Sequence, residues 1–119
     1  PARTQHTDSR DDGLTLRIDY GQTSVVVTGC ITSNGEKEIV SSGAAAACDA
    51  LIVSRGGTEA ATCAEWVEAA KPKVALITGK NPANSVRIRL QKYGATVYAA
   101  KENGVMTLFS DGQEITVEP

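Results

Sequence analysis

The chain has 119 residues, 41% of them hydrophobic and 22% charged, with 11 Gly and 4 Pro. That is the composition of one globular domain with one sizeable core, and it excludes a collagenous, disordered or disulfide-scaffold protein. The net charge of −2 is uneven: Lys71, Lys73, Lys80, Arg87, Arg89 and Lys92 place +6 on residues 71–92, without an Asp or Glu, and leave −8 on the remainder.

Residues 1–12 (PARTQHTDSRDD) are polar and aperiodic, and read as an N-terminal tail to a single domain over 13–119. The chain begins at Pro1 rather than Met, so upstream sequence is expected, with room for a signal peptide or membrane anchor. No stretch approaches the roughly 18 apolar residues of a membrane span. Leu14, Leu16, Ile18 and Tyr20 alternate with polar residues, which predicts a half-buried strand. After a Gly21-Gln22 turn, Thr23–Thr28 predicts a second, more deeply buried one.

Asn34 is the expected N-cap of a short helix carrying Glu36, Ile39 and Val40, and Gly43 its left-handed stop. Ala50–Val53 reads as a strand, and Ser54–Thr58 as a glycine loop. Thr62 and Glu65 have capping-box spacing before a helix over 63–70, whose Cys63, Trp66, Val67 and Ala70 share one inward face. Val74–Thr78 is a continuous apolar strand of the buried type. Asn81-Pro82 predicts a helix start, with Val86, Leu90 and Tyr93 on one stripe and Gly94 as its end. Thr96–Ala99 is then a strand. Asn103-Gly104 predicts a hairpin returning through Val105–Phe109, and Asp111-Gly112 a further turn into a last strand near 114–117. The order β-β-α-β-α-β-α-β-β-β predicts an α/β fold: a layered, mixed sheet with about three helices.

Scarce residues limit the chemistry. The one histidine, His6, lies in the tail, so a His-based metal site or a Ser-His-Asp triad in the body is hard to build. Cys30, Cys48 and Cys63 form no CxxC pair and are expected to be free and mostly buried. Cys30 reads as a semi-buried loop residue or as a nucleophile, but a nucleophile would need a base or cationic neighbour, and the body has no histidine to serve. Ser54–Thr58 could cradle an anion between glycine amides and Arg55, yet it lacks the lysine spacing of a P-loop. Residues 71–92 read as an anion-binding face or as a solvated helix face. With 4% aromatic residues, stacking platforms for nucleic acid are scarce, and binding there would be weak and electrostatic.

Four segments carry a family resemblance. Ser24–Ile31 (SVVVTGCI) resembles the strand and TGD motif of metallo-β-lactamase-fold proteins, and Ala50–Thr58 (ALIVSRGGT) their strand and HHGS loop. Lys71–Ile77 (KPKVALI) resembles the next strand, and Tyr93–Tyr98 (YGATVY) is similar to a strand of the C-terminal soluble domain of ComEC-type competence proteins, channel components of bacterial DNA uptake. The resemblance spans roughly residues 12–118 and implies half of a metallo-β-lactamase-type αββα sandwich. At the family's metal-ligand positions this chain has Cys30, Arg55, Gly56, Asn81 and Ala83.

With those ligands gone, the resemblance implies no catalytic residues, no metal and no other cofactor. It implies a non-catalytic, degenerate domain with an interaction or assembly role, linked to DNA uptake. The alternatives are a metal-dependent hydrolase component completed by a missing half, and a weak DNA- or anion-binding module using Arg55, Gly56, Gly57, Lys80, Arg87 and Lys92. The family's setting is the extracytoplasmic face of a bacterial membrane. Half a sandwich also leaves one sheet face, with Leu14, Leu16, Ile18 and Tyr20, against water. A homodimer or another protein chain is expected to cover it, or else the tail or the C-terminal meander does so in a monomer.

Overall fold

Strand β1 (Leu16–Tyr20) and strand β2 (Thr23–Val27) form an antiparallel hairpin in the computed structural model, which describes residues 15–44 and 46–118. Gly21, with φ of 58°, supplies the left-handed turn residue between them. Leu14, the first residue of the expected alternation, lies outside the described residues.

From β2 onward the chain is regular. β3 (Ala50–Ile52), β4 (Val74–Ile77) and β5 (Thr96–Ala99) add in turn, each parallel to the one before, giving a five-stranded mixed sheet in the order β1-β2-β3-β4-β5. The crossovers are α1 (Ser33–Ser41), α2 (Ala64–Ala70) and α3 (Asn84–Lys92). Strands that add always on the same side, through crossovers of one hand, put every crossover helix on the same sheet face. The core lies there: Val26, Leu51, Val53, Ala75 and Ile77 meet Trp66, Val67, Ala70, Val86 and Leu90.

The register puts Leu16, Ile18, Tyr20, Val25, Val27, Ile52, Val74 and Leu76 on the opposite face. The hairpin β6 (Thr107–Ser110) and β7 (Ile115–Glu118), a separate two-stranded sheet, folds back over part of it. The Ser110 hydroxyl lies 2.6 Å from that of Thr23, and Ile115 shares a cleft with Val74. Leu16, Ile18 and Tyr20 stay exposed, at 46%, 54% and 61%. The turn of this hairpin is held by Asp111, whose Oδ1 accepts from the amides of Gln113 and Glu114 at 2.8 Å each, and these bonds pull its carboxyl below the ordinary value.

Four expectations are corrected. Asn103-Gly104 does not turn a hairpin: Ala100–Asn103 is a short helix, α4, and β5 does not pair with β6. Asn103 Oδ1 accepts from the Ala99 amide at 3.2 Å and Gly104 N–H bonds back to Ala100 at 2.9 Å, so local bonds close a helical turn first. Helix α1 starts at Ser33 with Thr32, not Asn34, at its N-cap. Helix α3 starts at Asn84, because Ala83 N–H goes to Gly57 O at 2.9 Å and keeps Asn81-Pro82 outside the helix. The Thr62/Glu65 capping box does not form; Thr62 has φ of 61° and Cys63 takes the N-cap position of α2.

Candidate functional site

The parallel strands β2–β5 all end at one edge of the sheet, the edge where open α/β folds place ligand sites. Three loops meet there. Thr28, after β2, is buried and donates its hydroxyl to Ile52 O at 2.8 Å. The 3-10 turn Ser54–Gly57, after β3, bonds to the β2 loop through Arg55 N–H to Gly29 O at 2.8 Å. The loop after β4 bonds to that turn through Gly79 N–H to Gly56 O at 3.2 Å and Ala83 N–H to Gly57 O at 2.9 Å.

The contact between the last two loops is backbone against backbone. A Cβ on Gly79 would run into the Gly56 carbonyl, and one on Gly56 would lie 2.8 Å from Gly79 Cα. Gly56 also has φ of 64°, and Arg55 beside it holds the same left-handed region at 53°. Both glycines are required by this approach.

The loops bring Cys30, Arg55, Gly56, Gly57, Asn81 and Ala83 to one end of the sheet, with Lys80 exposed in the third loop. Lys92 is at the other end of α3, a nine-residue helix, roughly 12 Å along its axis. Arg87 is in an ion pair with Glu102 of α4. The pair borders an open cleft of about 200 Å³ lined also by Pro82, Asn84 and Lys101. Arg89 donates to Thr62 O at 2.7 Å, and Lys73 sits 3.5 Å from Asp49. The basic run is thus distributed over several contacts. Of the expected anion-binding residues, Arg55, Gly56, Gly57 and Lys80 lie on the two loops that touch at this edge.

Zinc hydrolysis needs about three protein ligands and an open position for water. The residues at the positions where the resemblance places the ligands do not fit that requirement: they are one thiol, Cys30, and the guanidinium of Arg55, Gly56, the amide of Asn81 and Ala83. Among the described residues no group of three or more His, Cys, Asp or Glu comes together. His6 lies outside them.

Cys30 is exposed rather than semi-buried, because Gly29 and Cys30 leave the strand at its open end. Burial pushes the thiols of Cys48 and Cys63 up to about 11 each. Brief iodoacetamide treatment of the native protein at neutral pH, followed by peptide mapping, is expected to label Cys30 well before the other two, and all three in denaturant.

The residue that sequence reading missed is Glu36. It is fully buried in α1, and its two carboxylate oxygens accept from Thr62 N–H at 2.8 Å and Cys63 N–H at 2.9 Å, just ahead of α2. Arg89 closes the same corner from α3. Burial raises the carboxyl above its ordinary value of 4.5, against the pull of the two amides and Arg89. A signal existed: Glu36 lies three and four residues before Ile39 and Val40, on the helix stripe that faces inward.

No family model matches the chain, and no solved structure matches it. Among curated proteins it is similar to ComE operon protein 3 of Bacillus subtilis (strain 168), with 27% identity over 112 residues. The similarity covers 89% of this chain and 14% of that protein, so the chain spans a small part of the relative it matches. It links the chain to a protein of the ComE operon and leaves the activity of the whole relative open.

Proposed function

We propose that this chain is a non-catalytic, degenerate metallo-β-lactamase-like half-domain with an interaction or assembly role in DNA uptake. One observation carries the reading. At the strand-end edge, where a hydrolase of this kind needs converging ligands and a cavity for water, three loops close on one another through backbone contacts, Gly29 with Arg55, Gly56 with Gly79 and Gly57 with Ala83. Among the described residues, the side chains left at that edge supply neither a ligand set nor a general base paired with a nucleophile. The similarity to ComE operon protein 3 is compatible with a competence link, of which DNA uptake is the proposed form.

Elemental analysis of the dialysed protein tests the reading, and zinc is expected well below one equivalent. Turnover of a phosphodiester, DNA or a β-lactam should stay at background with added Mn²⁺ or Zn²⁺. About one equivalent of retained zinc, or activity that survives repurification and is lost in Cys30→Ala, would instead establish a metal-dependent hydrolase component completed by residues outside this set.

A further inference from the structure

Four arginines lie among the described residues, and three of them have an acceptor. Arg17 reaches Asp19, Arg87 reaches Glu102, and Arg89 reaches Thr62 O. The fourth, Arg55, has none. Its side chain makes no hydrogen bond or ion pair, and its Nε is buried without a partner. A guanidinium is charged at every working pH, so a buried donor on it with no acceptor costs stability.

The fold does not need an arginine there. Arg55 holds the left-handed region at φ of 53° and ψ of 33°, which strains a side chain and suits glycine. Gly56 and Gly57 continue the turn at φ of 64° and 88°. Arg55 meets the β2 loop through its backbone N–H to Gly29 O, a bond that glycine would make equally well. Strain and an unpartnered charge coincide on one residue, at the strand-end edge. Together they point away from packing and toward a ligand.

The surroundings set the charge and class of that ligand. Across the three loops, 28–33, 54–62 and 78–83, the charged residues are Arg55, Glu59 and Lys80. Glu59 accepts from the Ser85 hydroxyl at 3.3 Å and pairs with neither cation. Lys80 is exposed and unpaired as well. A Cβ on Gly56 would lie 2.8 Å from Gly79 Cα, so the Cα atoms of Arg55 and Lys80, each one residue away, are at most about 12 Å apart. Two long cationic side chains can span that distance onto one anion. The Nε and one Nη of a guanidinium donate in parallel, a spacing that matches two oxygens of a phosphate. Drawing Nε out to such an anion breaks no bond, because it has none, and forms charge-assisted ones.

We infer that Arg55, assisted by Lys80, binds a phosphate-type oxyanion at the strand-end edge. The site is narrower than the basic run of the sequence, since Lys73, Arg87 and Arg89 are engaged elsewhere. It goes beyond the interaction role proposed above, and stands or falls separately from it.

The arginine Nε–H resonances of the protein, followed in two-dimensional nitrogen–proton spectra, test the site. On titration with inorganic phosphate, that of Arg55 is expected to move and to saturate in the millimolar range, while those of Arg87 and Arg89 hold still. Sodium chloride of equal ionic strength should leave all three in place. Lys80→Ala should weaken binding about threefold and Arg55→Gly at least about tenfold, both read from the Gly56 and Gly79 amides. In phosphate-free buffer Arg55→Gly should also resist urea at least as well as wild type, because glycine suits the turn. A short oligothymidylate without terminal phosphates separates the sources. If it moves the Arg55 Nε–H, the site takes a backbone phosphodiester; if only inorganic phosphate does, it takes a free phosphate.

No movement with either probe, equal movement in sodium chloride, or unchanged affinity in Arg55→Gly would each overturn the site. An Arg55→Gly variant less stable than wild type in phosphate-free buffer would return the arginine to the fold, and overturn it too.

Discussion

Glu36→Ala is expected to unfold in urea with a loss of about 2–4 kcal/mol, because two buried amides lose their acceptor and a side-chain-sized void opens between α1 and α2. Glu36→Gln should cost less, since one oxygen still accepts while its NH₂ must face an amide donor. The pH dependence carries the clearer signature. The folded chain holds a proton on this carboxyl more tightly than the unfolded chain does, because burial raises its pKa. Its contribution to stability is therefore full below the ordinary value of 4.5 and is lost as pH rises through the raised folded value. Urea melts of wild type and Glu36→Gln from acid to neutral pH should show wild type losing ground to the variant as pH rises. A constant gap would mean that the carboxyl does not titrate differently in the fold.

Gly79→Ala should be comparably damaging, at about 2–4 kcal/mol, for a different reason. The new methyl would meet the Gly56 carbonyl, which cannot rotate away as a side chain would, so the loops after β3 and β4 must separate. The Gly79–Gly56 and Ala83–Gly57 hydrogen bonds would go with them. Gly94→Ala is the control. Its Cβ meets nothing within 4 Å, and only its φ of 95° resists the substitution, which predicts a loss of about 1–2 kcal/mol. Thermal or urea melts of the two variants separate steric closure of the strand-end edge from ordinary backbone strain. Equal losses would show that the loops are not pressed together there.

These two positions mark where sequence and tertiary structure divide the work. Strands β2–β5 were legible to within a residue, because TSVVV, ALI, VALI and TVYA are short apolar runs bounded by Gly, Pro or Asn, and burial on a parallel sheet demands such runs. Trp66, Val67 and Ala70 announced their inward face by helical spacing alone. The α/β order and its crossover helices follow from the same alternation. Local chemistry was less decisive at the ends of elements. Asn103-Gly104 can cap a helical turn as readily as it can turn a hairpin, and the Ala99 amide decided which. Thr62 has the spacing of a capping residue, but a carboxylate reaching over from α1 took the cap and left Thr62 in a left-handed conformation.

The candidate site shows the same division. That Cys30, Arg55, Gly56, Asn81 and Ala83 lie at strand ends is written in the alternation of apolar runs and glycine loops. That the loops close on one another, and that Arg87 and Arg89 are engaged by Glu102 and Thr62 instead of joining Lys80, depends on pairs 15 and 27 residues apart. Spacing along one segment carries the period of a helix or strand, and so it determines which faces are apolar and in what order the elements come. It carries no information about which distant backbone group will satisfy a buried carboxylate, a guanidinium or a glycine amide. Those partners are chosen only when the sheet has brought its loops to one edge.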